Sequence, residues 1–305
     1  MHLPIKPKIG GVSSRFGVGI LFGSRIAFAT RLKSGEIKVF SREVKTSKSN
    51  FFKIPLIRSL RVFHQVFLNF SLSRKNLIKL SKEGLIDLHR RKRFLQGVLC
   101  LILFICLSVG LEIAIEKLPY ILQFIVYLLT LYVSVRLFFL FIMGERCLFY
   151  HGAEHKVIKA FLAGDDLTLE AVNRYSPIAS RCGTNLVAFL ILLDVLMPTR
   201  LYEFFFNKVG IAFSKVILLL NIIGIRFGNQ GIIVQIFSEM ILFIGMLGIA
   251  YELLFISFKY EDRKWIKLIL LPISFIQKIT TREPSSAELE VALAALKEVL
   301  PTELK

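Results

Sequence analysis

Long apolar runs separated by short, basic segments set the pattern of this chain. From Phe94 to about Ile113, and again from Leu118 to Met143, almost every position is apolar. Each run is long enough to cross a hydrocarbon core as a helix, which takes about 20 residues. A third run covers about Asn185 to Met197 and a fourth Ile232 to Ile256. Leu201 to Ile225 is apolar but broken by Lys208, Lys215 and Asn221. It reads as a re-entrant or interfacial helix, or as an extra span. The pattern predicts a mainly α-helical polytopic membrane protein with about four transmembrane helices.

The flanks carry other periods. In residues 1–50, Ile26–Leu32 and Glu36–Phe40 read as strands joined by Lys33-Ser34-Gly35, a β-hairpin in a small cytoplasmic element, with Gly10, Gly11, Gly17, Gly19 and Gly23 marking turns. Residues 51–93 place Ile57, Leu60, Phe63, Phe67, Phe70, Leu77, Leu80 and Leu85 at helical spacing among Lys and Arg, as one or two amphipathic helices. The membrane domain is residues 94–256, interrupted by a polar segment at 144–183. Residues 257–305 begin with a basic amphipathic stretch. They end in a helix opened by the capping box Ser285 to Glu288, with a stripe of Leu289, Leu293, Leu296 and Leu300. That stripe needs a partner, either the N-terminal element or another subunit.

Composition supports a membrane reading: 54% of residues are hydrophobic and the mean hydropathy is +0.63. The formal charge is +18. Before Phe94 there are 21 Lys and Arg against four acids. Basic residues crowding against an apolar span point to the bilayer and its anionic lipid headgroups as partners, and away from nucleic acid. The same asymmetry puts both termini in the cytoplasm and the polar segment on the cytoplasmic side of the membrane. No cleavable signal peptide is expected. Neither is a disulfide framework, since Cys100 and Cys106 lie in an apolar run. Asp194, Glu239 and Glu252 fall inside spans, as functional groups or as helix-to-helix polar contacts. Glu239 and Glu252 lie on different faces of one helix, which disfavours a shared transport cavity.

The chemistry concentrates in Tyr150-His151-Gly152-Ala153-Glu154-His155-Lys156. Histidines four apart on a helix share a face, with Glu154 beside them. His-x-x-Glu-His is the inverted zinc-protease signature, in which two histidines hold the metal and the glutamate is the base. The pair could equally be solvated at a membrane surface. This helix should end at Gly164, and Asp165 to Thr168 should cap a second helix from Leu169 to Tyr175. Asp165, Asp166 and Glu170 are candidate further ligands or simply capping acids. Cys182, in Arg181-Cys182-Gly183-Thr184, is a soft-ligand candidate or a buried thiol.

The chain resembles the YqhQ-like family of bacterial membrane proteins, known as domain of unknown function 1385. The resemblance rests on Gly10-Gly11 with Gly17-Val18, on the His151 to Lys156 motif, and on Arg181 to Thr184. It also rests on Gly248 to Glu252, Thr280 to Pro284, Leu289 to Ala292 and Ala294 to Lys297. It implies a polytopic inner-membrane protein, sometimes described as a predicted metal-dependent enzyme, with no established reaction. Where the family usually has His-Pro before Arg-Cys-Gly-Thr, this chain has Ala179 and Ser180. Where it usually has Gln and Glu near the glycine pair, this chain has Val12 and Phe16.

Two functions follow. In one, His151 and His155 hold Zn²⁺ or another divalent metal with a third ligand from Cys182, Asp165, Asp166 or Glu170, and Glu154 is the base of a hydrolase. In the other, the chain is a non-catalytic membrane scaffold or interaction protein, a divergent inactive relative. There the histidines bind structural metal or pair with Arg181 and nearby carboxylates, and the partner is a second copy or another membrane protein.

Overall fold

The computed structural model describes residues 9–44, 54–55, 58–87, 95–99, 144–180, 182–196, 230–261 and 263–301, with isolated residues between. Most of the first two expected spans and of the broken run 201–225, Arg181, and the side chains of Asp194 and Glu239 fall outside the described residues. The chain divides into two compact units. The first comprises residues 1–47, 64–179 and 277–305, and the second residues 48–63 and 180–276.

The first unit is built on a four-stranded antiparallel meander: β1 (Ile9–Ser14), β2 (Gly17–Phe22), β3 (Arg25–Arg31) and β4 (Ile37–Glu43), in the order β1-β2-β3-β4. The predicted hairpin is therefore its second half. Of the glycines expected to mark turns, Gly23 does so between β2 and β3, with φ 58°, whereas Gly10, Gly11, Gly17 and Gly19 fall in β1 and β2, paired Gly11 to Ile20 and Ser14 to Gly17. Gly11, Gly17 and Gly19 sit at close approaches, to Glu154, the Ala29 carbonyl and Asn69. Alternation sends β3 side chains to two cores. Ala27 and Ala29, with Val18 and Ile20, face one cluster, and Ile26 and Phe28 face the other.

The second cluster is closed by α1 (Arg58–Lys82) through Leu72, Leu77 and Leu80. The first is closed by α2 (Glu145–Ala163), α3 (Leu169–Asn173) and the C-terminal helix α7 (Ser286–Val299). Leu289, Leu293, Leu296 and Leu300 of that last helix are buried in this cluster. The leucine stripe thus finds its partner in the N-terminal sheet, and α7 packs across β2, β3 and β4. Its capping box forms as read, with the Ser285 N–H donating to Glu288 Oε2 at 3.0 Å. α2 ends where expected, at Gly164 with φ 73°.

In the second unit, α4 (Gly183–Leu196) and α5 (Gln230–Lys259) pack through Leu186, Phe189, Ala250 and Leu254. Among the described residues one helix is long and apolar enough to cross a membrane: Met240–Lys259, mean hydropathy 2.2. Met240, Phe243, Ile244 and Ile249 on it are exposed, and Glu252 is half-buried. α6 (Lys264–Thr280) follows, exposing Trp265, Leu268, Ile269 and Leu271.

Candidate metal centre

α2 is buried almost all round, and its small residues explain how. A Cβ on Gly152 would overlap the Arg282 carbonyl oxygen. Glycine there lets the strap after α6 cross α2 at backbone distance, where the Arg282 N–H donates to the Leu148 carbonyl at 3.0 Å. On the other flank lies β1. A Cβ on Gly11 would overlap the Glu154 carboxylate. Backbone from two distant segments therefore clasps the turn carrying the motif. His151, Glu154, His155 and Lys156 are all buried, which sets aside the solvated-histidine alternative.

Backbone carbonyls fix both imidazoles. His151 Nδ1 lies 2.9 Å from the Thr280 carbonyl oxygen, and His155 Nδ1 lies 2.5 Å from that of Pro177. A carbonyl only accepts, so each Nδ1 carries the proton and each Nε2 keeps its lone pair. The rings sit edge to face with centroids 4.4 Å apart. His155 Nε2 is buried with no hydrogen-bond partner among the described residues. Such an atom costs about 1–3 kcal/mol unless something occupies its lone pair. This is the state of a metal-binding histidine, whose second nitrogen is held by a carbonyl.

Glu154 stands about 60° round the helix from His151. Burial pushes its carboxyl up to about 7, a rise that its neighbour His151 partly offsets. A carboxyl near neutrality is suited to taking a proton from water.

Lys156 was quoted in the motif but given no role by the sequence. Its buried ammonium donates to the Asn173 carbonyl at 2.8 Å and Oδ1 at 3.2 Å, and pairs with Glu283. Lys159 donates to the Ile178 carbonyl. The Gln277 side chain accepts from the Ala179 N–H at 2.9 Å and donates to its carbonyl at 2.5 Å. These bonds lock the loop carrying the Pro177 carbonyl to the α6 end carrying that of Thr280. No side-chain signal could have identified Pro177 or Thr280, because both act through main-chain oxygens.

The structure separates the other candidates. Asp165, Asp166 and Glu170 are exposed. Asp165 accepts from the Asp166 N–H and the Tyr175 hydroxyl, and Glu170 pairs with Arg174 at 2.7 Å. The cap of α3 is Thr168, whose hydroxyl accepts from the Ala171 N–H. These acids serve turns and surface pairs. Cys182 is buried and in no disulfide. Its Sγ lies 2.9 Å from the Thr184 hydroxyl and accepts from the Thr184 N–H at 3.3 Å. Ser180 bonds Glu261, and Phe16 packs at the edge of the α1 core. Of the expected donors, His151 and His155 lie together in the first unit, and Cys182 belongs to the second.

A family model described as a protein of unknown function, DUF1385, matches residues 54–302. The chain is 26% identical over 159 residues to the uncharacterized protein YqhQ of Bacillus subtilis strain 168, a match covering 52% of this chain. The chain spans 42% of the length of that relative. No solved structure matches the chain.

Proposed function

The chain belongs to the DUF1385 family, and from that premise we propose that it is a metal-dependent membrane hydrolase centred on His151, Glu154 and His155. The observation that carries this reading is His155 Nε2: buried, held in the ligating tautomer and without a partner among the described residues. The third ligand is Cys182. Ala179 is anchored on both sides of its peptide by Gln277, and three residues of chain keep Cys182 within about 10 Å of that anchor. Two imidazoles and a thiolate are a donor set suited to Zn²⁺, and they leave the fourth position of a tetrahedral ion open.

The ion would supply Lewis acidity to a water and to the substrate. The chain's own residues do the rest. The Thr280 and Pro177 carbonyls orient the rings. Glu154, poised near neutrality, takes the proton from the attacking water and returns it to the leaving group. The motif helix and the strap over Gly152 exclude bulk water. The apolar runs and the exposed apolar face of Met240–Lys259 support a multi-pass inner-membrane protein whose site lies at the cytoplasmic surface. A peptide or lipid-derived ester is then within reach.

Metal analysis by plasma mass spectrometry of the detergent-purified protein tests the centre. The expected result is near-stoichiometric divalent metal in the wild type and in Glu154→Gln, lost in His151→Ala/His155→Ala. Equal trace metal in all three overturns the reading. Metal retained in Glu154→Gln with unchanged turnover of a peptide and lipid-ester panel would leave only a structural metal site. That is the scaffold alternative favoured by Ala179 and Phe16.

A further inference from the structure

A second concavity lies in the first unit, away from the histidine pair. It has a volume of about 310 Å³ and is lined by Arg15, Phe16, Arg31, Leu32, Lys33, Ile86, Asp87 and Arg146. Four of these side chains are cationic and one is acidic. They come from four places in the sequence: the β1–β2 turn, the end of β3, the segment after α1, and the first turn of α2. The fold has therefore gathered them. Their charges are unevenly compensated. Lys33 pairs with Asp87 at 2.8 Å, and Arg31 pairs with Glu290 at 2.6 Å. Arg15 and Arg146 have no ion-pair or hydrogen-bond partner among the described residues. Glu145 beside Arg146 is exposed and pairs with neither.

Arg31 adds a second observation. Its terminal nitrogens are used by the Gly35 and Ala287 carbonyls and by Glu290. Its Nε–H is buried and has no hydrogen-bond partner among the described residues. Arg31 is thus held in place by three bonds and adds fixed positive charge to the cavity wall. Arg15 also packs where a Cβ on Gly144 would stand, so its guanidinium sits over the start of α2, whose free N–H groups attract negative charge.

We propose that this cavity binds a phosphate-bearing anion, gripped by the guanidinium groups of Arg15 and Arg146. Planar guanidinium forks match the oxygens of a phosphate mono- or diester, whereas chloride offers a single point of charge. The ligand chemistry is the phosphate group, whether on a lipid headgroup or on a soluble molecule. The site is separate from the metal centre and stands or falls independently of it.

Isothermal titration on the full chain in non-ionic detergent tests the proposal. The probes are inorganic phosphate and water-soluble dihexanoyl phosphatidylglycerol, each against chloride at matched ionic strength. The variants are Arg15→Gln/Arg146→Gln, an exposed control of like charge change in Lys297→Gln, and His155→Ala. We expect saturable binding of at least one phosphate probe, weakened tenfold or more in the arginine double variant. The Lys297 and His155 variants should bind as the wild type does. Binding of both probes assigns a site for soluble phosphate, and binding of the lipid alone assigns a headgroup site. Near-ultraviolet circular dichroism of the double variant confirms that the fold is kept. No saturable binding, a chloride response equal to that of phosphate, or a double variant that binds like wild type overturns the proposal.

Discussion

Two adjacent glycines in β1 give a test with an internal control. A Cβ on Gly11 would fall within 3 Å of three atoms of the Glu154 side chain, whereas one on Gly10 meets nothing within 4 Å. Neither glycine has a positive φ, so alanine is compatible with the backbone at both. Gly10→Ala should then be neutral or stabilise by up to about 1 kcal/mol, through the lost freedom of the unfolded chain. Gly11→Ala overpacks a buried position and should destabilise by about 1–3 kcal/mol. In a chain of this size that is a drop of roughly 2–10 °C in Tm. The three nearest atoms are all Glu154 atoms beyond Cβ, so in a Glu154→Ala background the Gly11→Ala penalty should vanish. The four proteins form a double-mutant cycle with a coupling of about 1–3 kcal/mol, read by thermal unfolding in detergent. If the two glycine variants shift Tm equally, or if the Gly11 penalty survives without the Glu154 side chain, the placement of β1 against the motif is wrong.

Two further predictions follow from the same neighbourhood. Glu154 has a folded pKa of about 7 against an ordinary 4.5, so the metal-free fold is favoured by this group below pH ~4.5. That advantage is lost as pH rises through ~7, about 3 kcal/mol in all. The wild type minus Glu154→Gln difference in unfolding free energy should fall between pH ~4.5 and ~7 and level off above that, and a flat difference throughout would refute it. Lys156→Ala removes a fully buried side chain together with its charge-assisted bonds to Asn173 and should cost about 2–4 kcal/mol. Glu283→Gln should cost under about 1 kcal/mol in the same denaturant titration, because Glu283 is 64% exposed.

Where the structure agrees with the sequence pattern, local chemistry explains the agreement. Gly164 ends α2 because a left-handed terminal residue is cheapest as glycine, and Ser285 with Glu288 caps α7 because each satisfies a free N–H. The His151 and His155 pairing was legible because helical spacing alone puts the rings together. What escaped the pattern was tertiary. β1 and β2 carry glycines that weaken a strand signal, yet those glycines let α2 and α1 approach the sheet. Gly19, for example, faces Asn69 of α1. Asp165, Asp166 and Glu170 have the right chemistry for ligands, but the turn before α3 leaves them in solvent. The cationic cavity joins four distant segments, and no window of sequence contains it.

The rings of His151 and His155 hang from main-chain oxygens of Thr280 and Pro177, and this limits what substitution experiments can see. Side-chain exchanges at 177 or 280 that keep the chain path leave both anchoring oxygens in place. A scan by alanine would pass over the two groups that aim the imidazoles. Only changes that move the peptide itself, such as an inserted residue between Gln277 and Arg282, reach them. The geometry of this centre is therefore carried by the path of the backbone, and relatives can differ widely in the loop and strap while holding the same two nitrogens in the same place.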